Sequence, residues 1–142
     1  MTHKELEQAR NALIEFMSAM NRWENDFYRA KQTALKENRD IALVDNEWRK
    51  ELTAILVKWA FPEKSNQGRL IDLGCTDPPT YDPDSDVEES VEATDDSVAF
   101  IIYQTKGLQS KFRITLKQQS GKWKIKKKEL LNYKDKWQRS VL

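Results

Sequence analysis

The chain has 142 residues, a formal net charge of +1 and one cysteine, Cys75. This length is typical of one domain, and a single cysteine excludes both an intramolecular disulfide framework and a cysteine-rich zinc site. The N-terminal residues carry no apolar run typical of a secretory signal, and no stretch approaches the roughly 20 apolar residues of a membrane span. We therefore expect one cytoplasmic domain, residues 1–142, that does not enter a membrane.

Residues 1–61 contain no glycine or proline and show helical periodicity. Over residues 6–34, apolar side chains recur at spacings of three and four, which predicts one long amphipathic helix. Asp40 is a candidate N-cap for a second helix with an apolar face over residues 41–59, and Pro62 ends it. The two helices are expected to form a hairpin.

The character of the chain changes after Gly68. The pattern over residues 69–73 predicts a short strand, and the proline-rich stretch at 77–83 cannot continue either regular structure. The remaining residues predict an antiparallel meander. Its strands are expected at 86–94, 97–105, 109–118 and 121–131, with turns at Asp95-Asp96, Lys106-Gly107 and Ser120-Gly121.

Helices that precede a meander indicate a segregated α+β fold rather than alternating βαβ units. The domain then consists of a helical hairpin (1–61), an antiparallel sheet (68–131) and an aromatic C-terminal segment (132–142) that packs on the body. Residues 98–103 are apolar on both faces, as in a central strand that is covered twice. The second cover is a helix or tail of the chain, or a second copy in a homodimer through the sheet.

The second half of the chain separates its charges. Residues 70–105 include ten acidic residues and no lysine or arginine, whereas residues 106–142 include twelve basic residues and two acidic ones. Charge runs are often solvated faces whose ion pairs contribute little to stability. Alternatively, one patch steers a partner of opposite sign. Composition leaves both interpretations open.

Residue types that usually carry catalysis are scarce. His3 is the only histidine and lies at the expected frayed terminus, and Cys75 has no histidine near it in sequence. Asp82 begins a pattern like a calcium loop, but Val87 replaces the required glycine and Ala93 the required glutamate. Four glycines do not supply a phosphate-binding loop. We predict no catalytic residues, no metal site and no cofactor, and hence not an enzyme.

The basic C-terminal region mixes lysines with Trp123, Tyr133 and Trp137. This mixture occurs in proteins that bind single-stranded nucleic acid. It is also typical of a solvated strand edge, where lysines discourage aggregation. We favour the second interpretation and keep nucleic-acid binding through this face as an alternative function.

Several segments together resemble one protein family. They are residues 15–17, 21–24 and 27–28 of the first helix, Gly68-Arg69-Leu70 leading to Pro78-Pro79-Thr80-Tyr81-Asp82-Pro83, residues 98–104, Phe112-Arg113-Ile114-Thr115-Leu116, Gly121-Lys122-Trp123-Lys124-Ile125 and residues 137–142. In this order they are similar to immunity proteins of bacterial polymorphic toxin systems with a nuclear transport factor two-like fold. The resemblance spans nearly the whole chain.

The resemblance implies a curved antiparallel sheet wrapped around helices. It also implies a cytosolic antidote that binds and neutralises a cognate toxin domain. Enzyme and transport-factor members of the fold carry a strand hairpin between their early helices and the last helix, and residues 1–62 contain none. The sequence therefore gives no support for an open conical ligand pocket, although a small-molecule-binding protein or enzyme on the same fold stays an alternative.

The resemblance also suggests which surface binds. Toxin domains of such systems are often nucleases with basic substrate clefts, and an acidic surface can occlude such a cleft and associate with it quickly. The predicted contact residues are Tyr81, Asp82, Asp84, Asp86, Glu88, Glu89 and Glu92. Tyr81 is expected to act as an aromatic anchor. The competing interpretation is that this proline-rich turn merely caps the sheet.

Overall fold

The computed structural model describes residues 1–142 and begins with two helices. Helix α1 spans His3–Lys36, and the hydroxyl of Thr2 caps it by accepting from a backbone N–H at 3.1 Å. Helix α2 spans Ile41–Trp59, and the carboxylate of Asp40 accepts from a backbone N–H at 2.9 Å. Such caps satisfy N–H groups that have no intrahelical partner. Both predicted helices and the predicted Asp40 cap are confirmed.

The two helices pack as the predicted hairpin. Trp23 on α1 donates from Nε1 to the carbonyl of Trp48 on α2 at 2.8 Å, and the ring of Phe27 lies 6.3 Å from the ring of Trp48. The aromatic contact removes large apolar surfaces from water and so stabilises the pair. No helix of the chain is both long enough and apolar enough to cross a membrane.

Five antiparallel strands follow, paired in chain order from β1 to β5. They span Val87–Ala93, Ser97–Tyr103, Lys111–Gln119, Lys122–Leu131 and Trp137–Ser140. The first four confirm the predicted meander. Strand β5 belongs to the C-terminal segment and pairs with β4, with Trp137 opposite Leu131. The segment therefore packs on the body as expected, and it does so as a strand.

The predicted strand at residues 69–73 is wrong. A short 3₁₀ helix at Lys64–Gln67 leads directly into a one-turn helix, α3, at Gly68–Ile71. The turn is fixed by Arg69, whose Nη2 donates to the buried carboxylate of Glu24 on α1 at 2.8 Å. This contact between distant residues overrides the local preference of the aliphatic residues for a strand.

The inner face of the sheet forms the core together with α1. Its buried side chains are Val98, Phe100 and Ile102 of β2, Phe112, Ile114 and Leu116 of β3, and Trp123 and Ile125 of β4. On the outer face of β2, Ala99 and Ile101 are half-buried and Tyr103 is 36% exposed. Neither a helix nor the C-terminal segment of this chain provides the second cover that the sequence suggests for β2.

A β-bulge in β4 changes which side chains face the core. Ile125 and Lys127 lie opposite neighbouring residues of β3, so that Lys126 is an extra residue on β4. Because side chains alternate along a strand, the extra residue turns Lys128 rather than Lys127 inward. Lys128 is only 4% exposed. The bulge is held by Asn66, which is fully buried and donates to the carbonyl of Lys126 at 3.0 Å.

Candidate partner surface and buried charge cluster

The proline-rich loop is held against α1 by one carboxylate. Glu24 is fully buried, and it accepts hydrogen bonds from the backbone N–H groups of Thr76 at 3.0 Å and Thr80 at 2.8 Å. Both threonine hydroxyls donate to the same carboxylate, and so does Arg69. A buried carboxylate needs partners of this kind because its desolvation is costly. Glu24 therefore positions the chain that leads to the predicted contact residues.

Tyr81 lies in the core and not on a surface. It is fully buried, and its ring makes edge contacts with Phe16 at 5.4 Å and Phe112 at 5.8 Å between ring centroids. Its hydroxyl accepts from Nζ of Lys128 at 3.1 Å, and burial raises the pKa of this hydroxyl above its ordinary value. The expectation that Tyr81 anchors a partner is wrong, because a partner cannot reach the ring without opening the core.

Asp82 and Asp86 build the turn that starts the sheet. Oδ2 of Asp86 accepts from the N–H of Asp82 at 3.0 Å, and Oδ1 of Asp82 accepts from the N–H of Asp84 at 3.2 Å. Asp86 is half-buried, and this desolvation raises the pKa of its carboxyl. Asp84 is exposed and has no ion partner. Two of these three carboxylates thus act within the turn, and only Asp84 is free to contact a partner.

The three glutamates of β1 differ in how their charges are balanced. Glu88 accepts two hydrogen bonds from Arg10 on α1, at 2.8 and 3.1 Å. Glu89 accepts from Lys111 at 2.9 Å but stays exposed. Glu92 is exposed and has no ion partner. The same is true of Asp95 in the turn after β1. We call Asp84, Glu89, Glu92 and Asp95 the acidic edge, because β1 is an edge strand of the sheet.

The outer face of the sheet separates acidic from basic side chains. Beside β1 lies the apolar outer face of β2, with Ile101 and Tyr103. On β3 follow Lys111 and Arg113, and Arg113 makes a two-pronged contact with Glu129 at 3.0 and 3.1 Å. Glu89 of β1 and Lys111 of β3 pair across β2 at 2.9 Å, so that charge is partly cancelled there. The carboxylates of Asp84, Glu92 and Asp95 have no such partner and keep their field.

A second group of charges lines a half-open cavity of about 580 Å³. The cavity lies between the loop after α3, the turn before β3 and the inner face of β3 and β4. Arg69 and Lys128 both line it. Burial, with the neighbouring Arg69 guanidinium, lowers the pKa of Lys128 to about 7. The chain therefore has a half-open pocket, for which the sequence offered no support.

Comparison with known proteins decides the family. A family model described as NTF2 fold immunity protein matches residues 8–141. The chain belongs to this immunity protein family. The match confirms the resemblance inferred from the sequence, and the helices with their five-stranded antiparallel sheet confirm the α+β fold class expected of a nuclear transport factor two-like protein.

Among curated proteins, this immunity family member is similar to Immunity protein RhsIA of Dickeya dadantii (strain 3937). The two are 36% identical over 134 residues, which cover 94% of this chain and 95% of the relative. No solved structure matches the chain.

Sequence reasoning missed three buried charges of this family member: Glu24, Arg69 and Lys128. Only Glu24 carries a signal in the sequence, because it lies on the apolar stripe of α1, four residues after Met20 and three before Phe27. A carboxylate at such a position requires a buried partner. Arg69 and Lys128 carry no comparable signal, since their burial depends on α3 and on the bulge.

Proposed function

We propose that this chain binds a cognate toxin domain of a bacterial polymorphic toxin system in the cytoplasm and neutralises it. It does so as a binding protein, without catalysis. Membership of the immunity family supports the proposal, as does the similarity to RhsIA of Dickeya dadantii, which is itself named an immunity protein. The observation that carries the choice of surface is the acidic edge, a group of exposed carboxylates on the edge strand β1 and in the turns at its two ends.

Asp84, Glu92 and Asp95 are exposed and have no ion partner within the chain. Their field is therefore available to a partner of opposite sign, such as the basic substrate cleft of a nuclease. Strand β1 pairs with β2 on one side only. Its other side offers backbone N–H and C=O groups to an incoming segment. Charge then accelerates encounter, and backbone hydrogen bonds slow dissociation.

The seven residues predicted from the sequence divide into two groups under this proposal. Asp84, Glu89 and Glu92 contact the toxin, and Asp95 joins them. Asp82, Asp86 and Glu88 shape the turn and fasten β1 to α1. Tyr81 supports the core beneath them. We assign the apolar outer face of β2, with Ile101 and Tyr103, to the same toxin interface rather than to a second copy of the chain.

The basic face is a weaker candidate for the primary interface. Lys111, Arg113 and Lys117 each lie within ion-pair distance of a carboxylate, at 2.9, 3.0 and 3.6 Å. Such pairs reduce the positive field on β3, whereas Lys122, Lys134 and Lys136, near Trp123, Tyr133 and Trp137, are exposed and unpaired. Nucleic-acid binding through these lysines stays the less supported alternative, because membership of an immunity family favours a protein partner.

The direct test is co-expression with the toxic domain encoded beside this gene, scored for cell survival and for a co-purifying complex. The variant Asp84→Lys, Glu92→Lys, Asp95→Lys is expected to bind the toxin at least about a hundredfold more weakly, because attraction becomes repulsion. The matched control is Lys122→Glu, Lys134→Glu, Lys136→Glu, three exposed lysines without ion partners. Equal affinity of the two triple variants would refute the acidic edge, and absence of rescue by the parent chain would refute neutralisation itself.

A further inference from the structure

The half-open cavity combines apolar side chains with buried positive charge. Phe112 and Leu130 of the sheet and Leu142 at the C-terminus line it together with Lys128 and Arg69. Its volume of about 580 Å³ lies in the range of small-molecule sites. Pockets of this kind bind ligands through an apolar wall and a few convergent polar groups. The lining therefore fits a ligand with one polar end and an apolar body.

The lining carries two cationic side chains, Arg69 and Lys128, and two carboxylates, Asp72 and Asp77, but only the two cations are buried. Nζ of Lys128 has one hydrogen-bond partner, the hydroxyl of Tyr81, and no carboxylate within 4.0 Å. Arg69 uses only Nη2, which donates to Glu24 at 2.8 Å and to the carbonyl of Gly74 at 3.0 Å. Its Nε and Nη1 have no acceptor in the protein. Glu24 thus balances the charge of Arg69, one of the two buried cations. The charge of Lys128 has no carboxylate partner, and Nε and Nη1 of Arg69 donate to no acceptor in the protein.

The other carboxylates near the cavity do not neutralise the charge of Lys128. Asp86 acts on Lys128 only from beyond ion-pair distance, and its carboxylate accepts from the backbone of Asp82. Asp72 and Asp77 line the mouth and are exposed to solvent. Their charges disfavour entry of a ligand that carries several negative charges, because like charges repel at short range.

We propose that this cavity binds a small organic monocarboxylate, with its carboxylate on Lys128 and Arg69 and its apolar body against Phe112, Leu130 and Leu142. An unpaired buried cation is costly, and a carboxylate supplies the missing partner through charge-assisted hydrogen bonds. The lowered pKa of Lys128 fits a site whose counter-charge comes from a ligand. The proposal does not depend on toxin binding, since the cavity and the acidic edge share no residue.

The test uses three probes on the purified chain: 3-phenylpropionate, its neutral amide, and inorganic phosphate. Isothermal titration calorimetry should show saturable binding of the carboxylate and at least about tenfold weaker binding of the amide, which lacks the charge. Phosphate should not compete with phenylpropionate. Equal affinity for carboxylate and amide, or effective competition by phosphate, would contradict the proposal.

Two variants test whether the ligand binds in this cavity. Lys128→Met keeps the length and apolar stem of the side chain and should weaken phenylpropionate binding about ten- to hundredfold, with Lys122→Met as the exposed control. Ser110→Trp fills the cavity from a lining position whose hydroxyl makes no hydrogen bond, and it should abolish binding of both organic probes. Unchanged binding in Ser110→Trp would overturn the proposal even if Lys128→Met does not fold.

The competing hypothesis is that a segment of the toxin occupies the cavity. The two hypotheses predict different results for the parent chain and for Ser110→Trp. If phenylpropionate does not bind the parent chain and Ser110→Trp loses affinity for the toxin, the cavity belongs to the toxin interface and the proposal is wrong. If phenylpropionate binds and Ser110→Trp still rescues cells from the toxin, the cavity is an independent ligand site, as we infer.

Discussion

Nη2 of Arg69 lies 2.8 Å from Oε1 of Glu24, and the two residues are 45 positions apart in the chain. The pair joins α3 to the middle of α1 inside the protein, where Glu24 is fully buried. Removing one partner of such a pair leaves an uncompensated buried charge, which costs more than the pair itself contributes.

We therefore expect Glu24→Gln to lower the free energy of unfolding by about 3–5 kcal/mol. The substitution removes the negative charge beside Arg69 and half of the acceptor capacity that Thr76 and Thr80 use. Urea denaturation monitored by tryptophan fluorescence measures the change. Glu15→Gln is the matched control, since Glu15 is exposed on the same helix. A loss no larger than that of the control would mean that the loop is held by other contacts.

The stability of the protein should rise with pH above neutrality. Folded Lys128 binds its proton only below about pH 7, whereas the unfolded chain retains it up to the ordinary value of 10.5. Between these values the unfolded state binds more protons, so that the free energy of unfolding increases by up to about 1.4 kcal/mol per pH unit. Below the folded pKa the full penalty of the buried charge remains.

Urea denaturation at about pH 7 and about pH 9 should show this increase in the parent chain and not in Lys128→Met. The exposed Lys122→Met variant should behave like the parent. The same slope in Lys128→Met would assign the pH dependence to other groups.

The bulge in β4 depends on one amide side chain. Nδ2 of Asn66 donates to the carbonyl of Lys126 at 3.0 Å and to that of Phe61 at 3.1 Å. In Asn66→Ala these carbonyls lose their donor inside the protein, and we expect a loss of about 1–3 kcal/mol in the free energy of unfolding. Asn11→Ala, at an exposed position of α1, should cost nothing measurable. Thermal and urea unfolding provide the comparison, and equal stability of the two variants would contradict this role.

Tyr81→Phe should leave toxin affinity unchanged and reduce stability. The ring stays in the core, but the buried Lys128 ammonium loses its one hydrogen-bond partner, which costs about 1.5–3 kcal/mol for a charged donor. Surface plasmon resonance with the toxin domain separates this outcome from that of Asp84→Lys, which should weaken binding. A large loss of affinity in Tyr81→Phe, with stability retained, would restore the tyrosine as a contact residue.

The helices and the meander could be predicted because each depends on local periodicity. The apolar stripe of α1 and the alternation of β3 are visible in neighbouring residues, and so is the Asp40 cap. The buried charges could not be predicted in the same way. Lys128 turns inward only because Lys126 is bulged, and the bulge is held by Asn66, 60 residues away in the chain. Neither the secondary-structure propensities of the residues nor the spacing of apolar side chains indicates the contact between Asn66 and Lys126.

The acidic segment is visible in the sequence, but which of its side chains are exposed could not be predicted from it. Tyr81, Asp86 and Asp84 lie within six residues of one another, yet one is in the core, one is half-buried and one is exposed. The difference follows from the tight turn that Asp82 and Asp86 close. Turn geometry of this kind is set by hydrogen bonds that a linear pattern does not reveal.

The unpaired side of β1 has a consequence for how copies of the protein meet one another. An open strand edge normally invites a second, identical edge, and chains that accumulate before their target appears would then be lost to aggregates. Here Glu89 and Glu92 on one copy would meet the same carboxylates on the next. Pairing between two copies along β1 is therefore opposed by the same charges that, under the proposed function, attract a basic toxin.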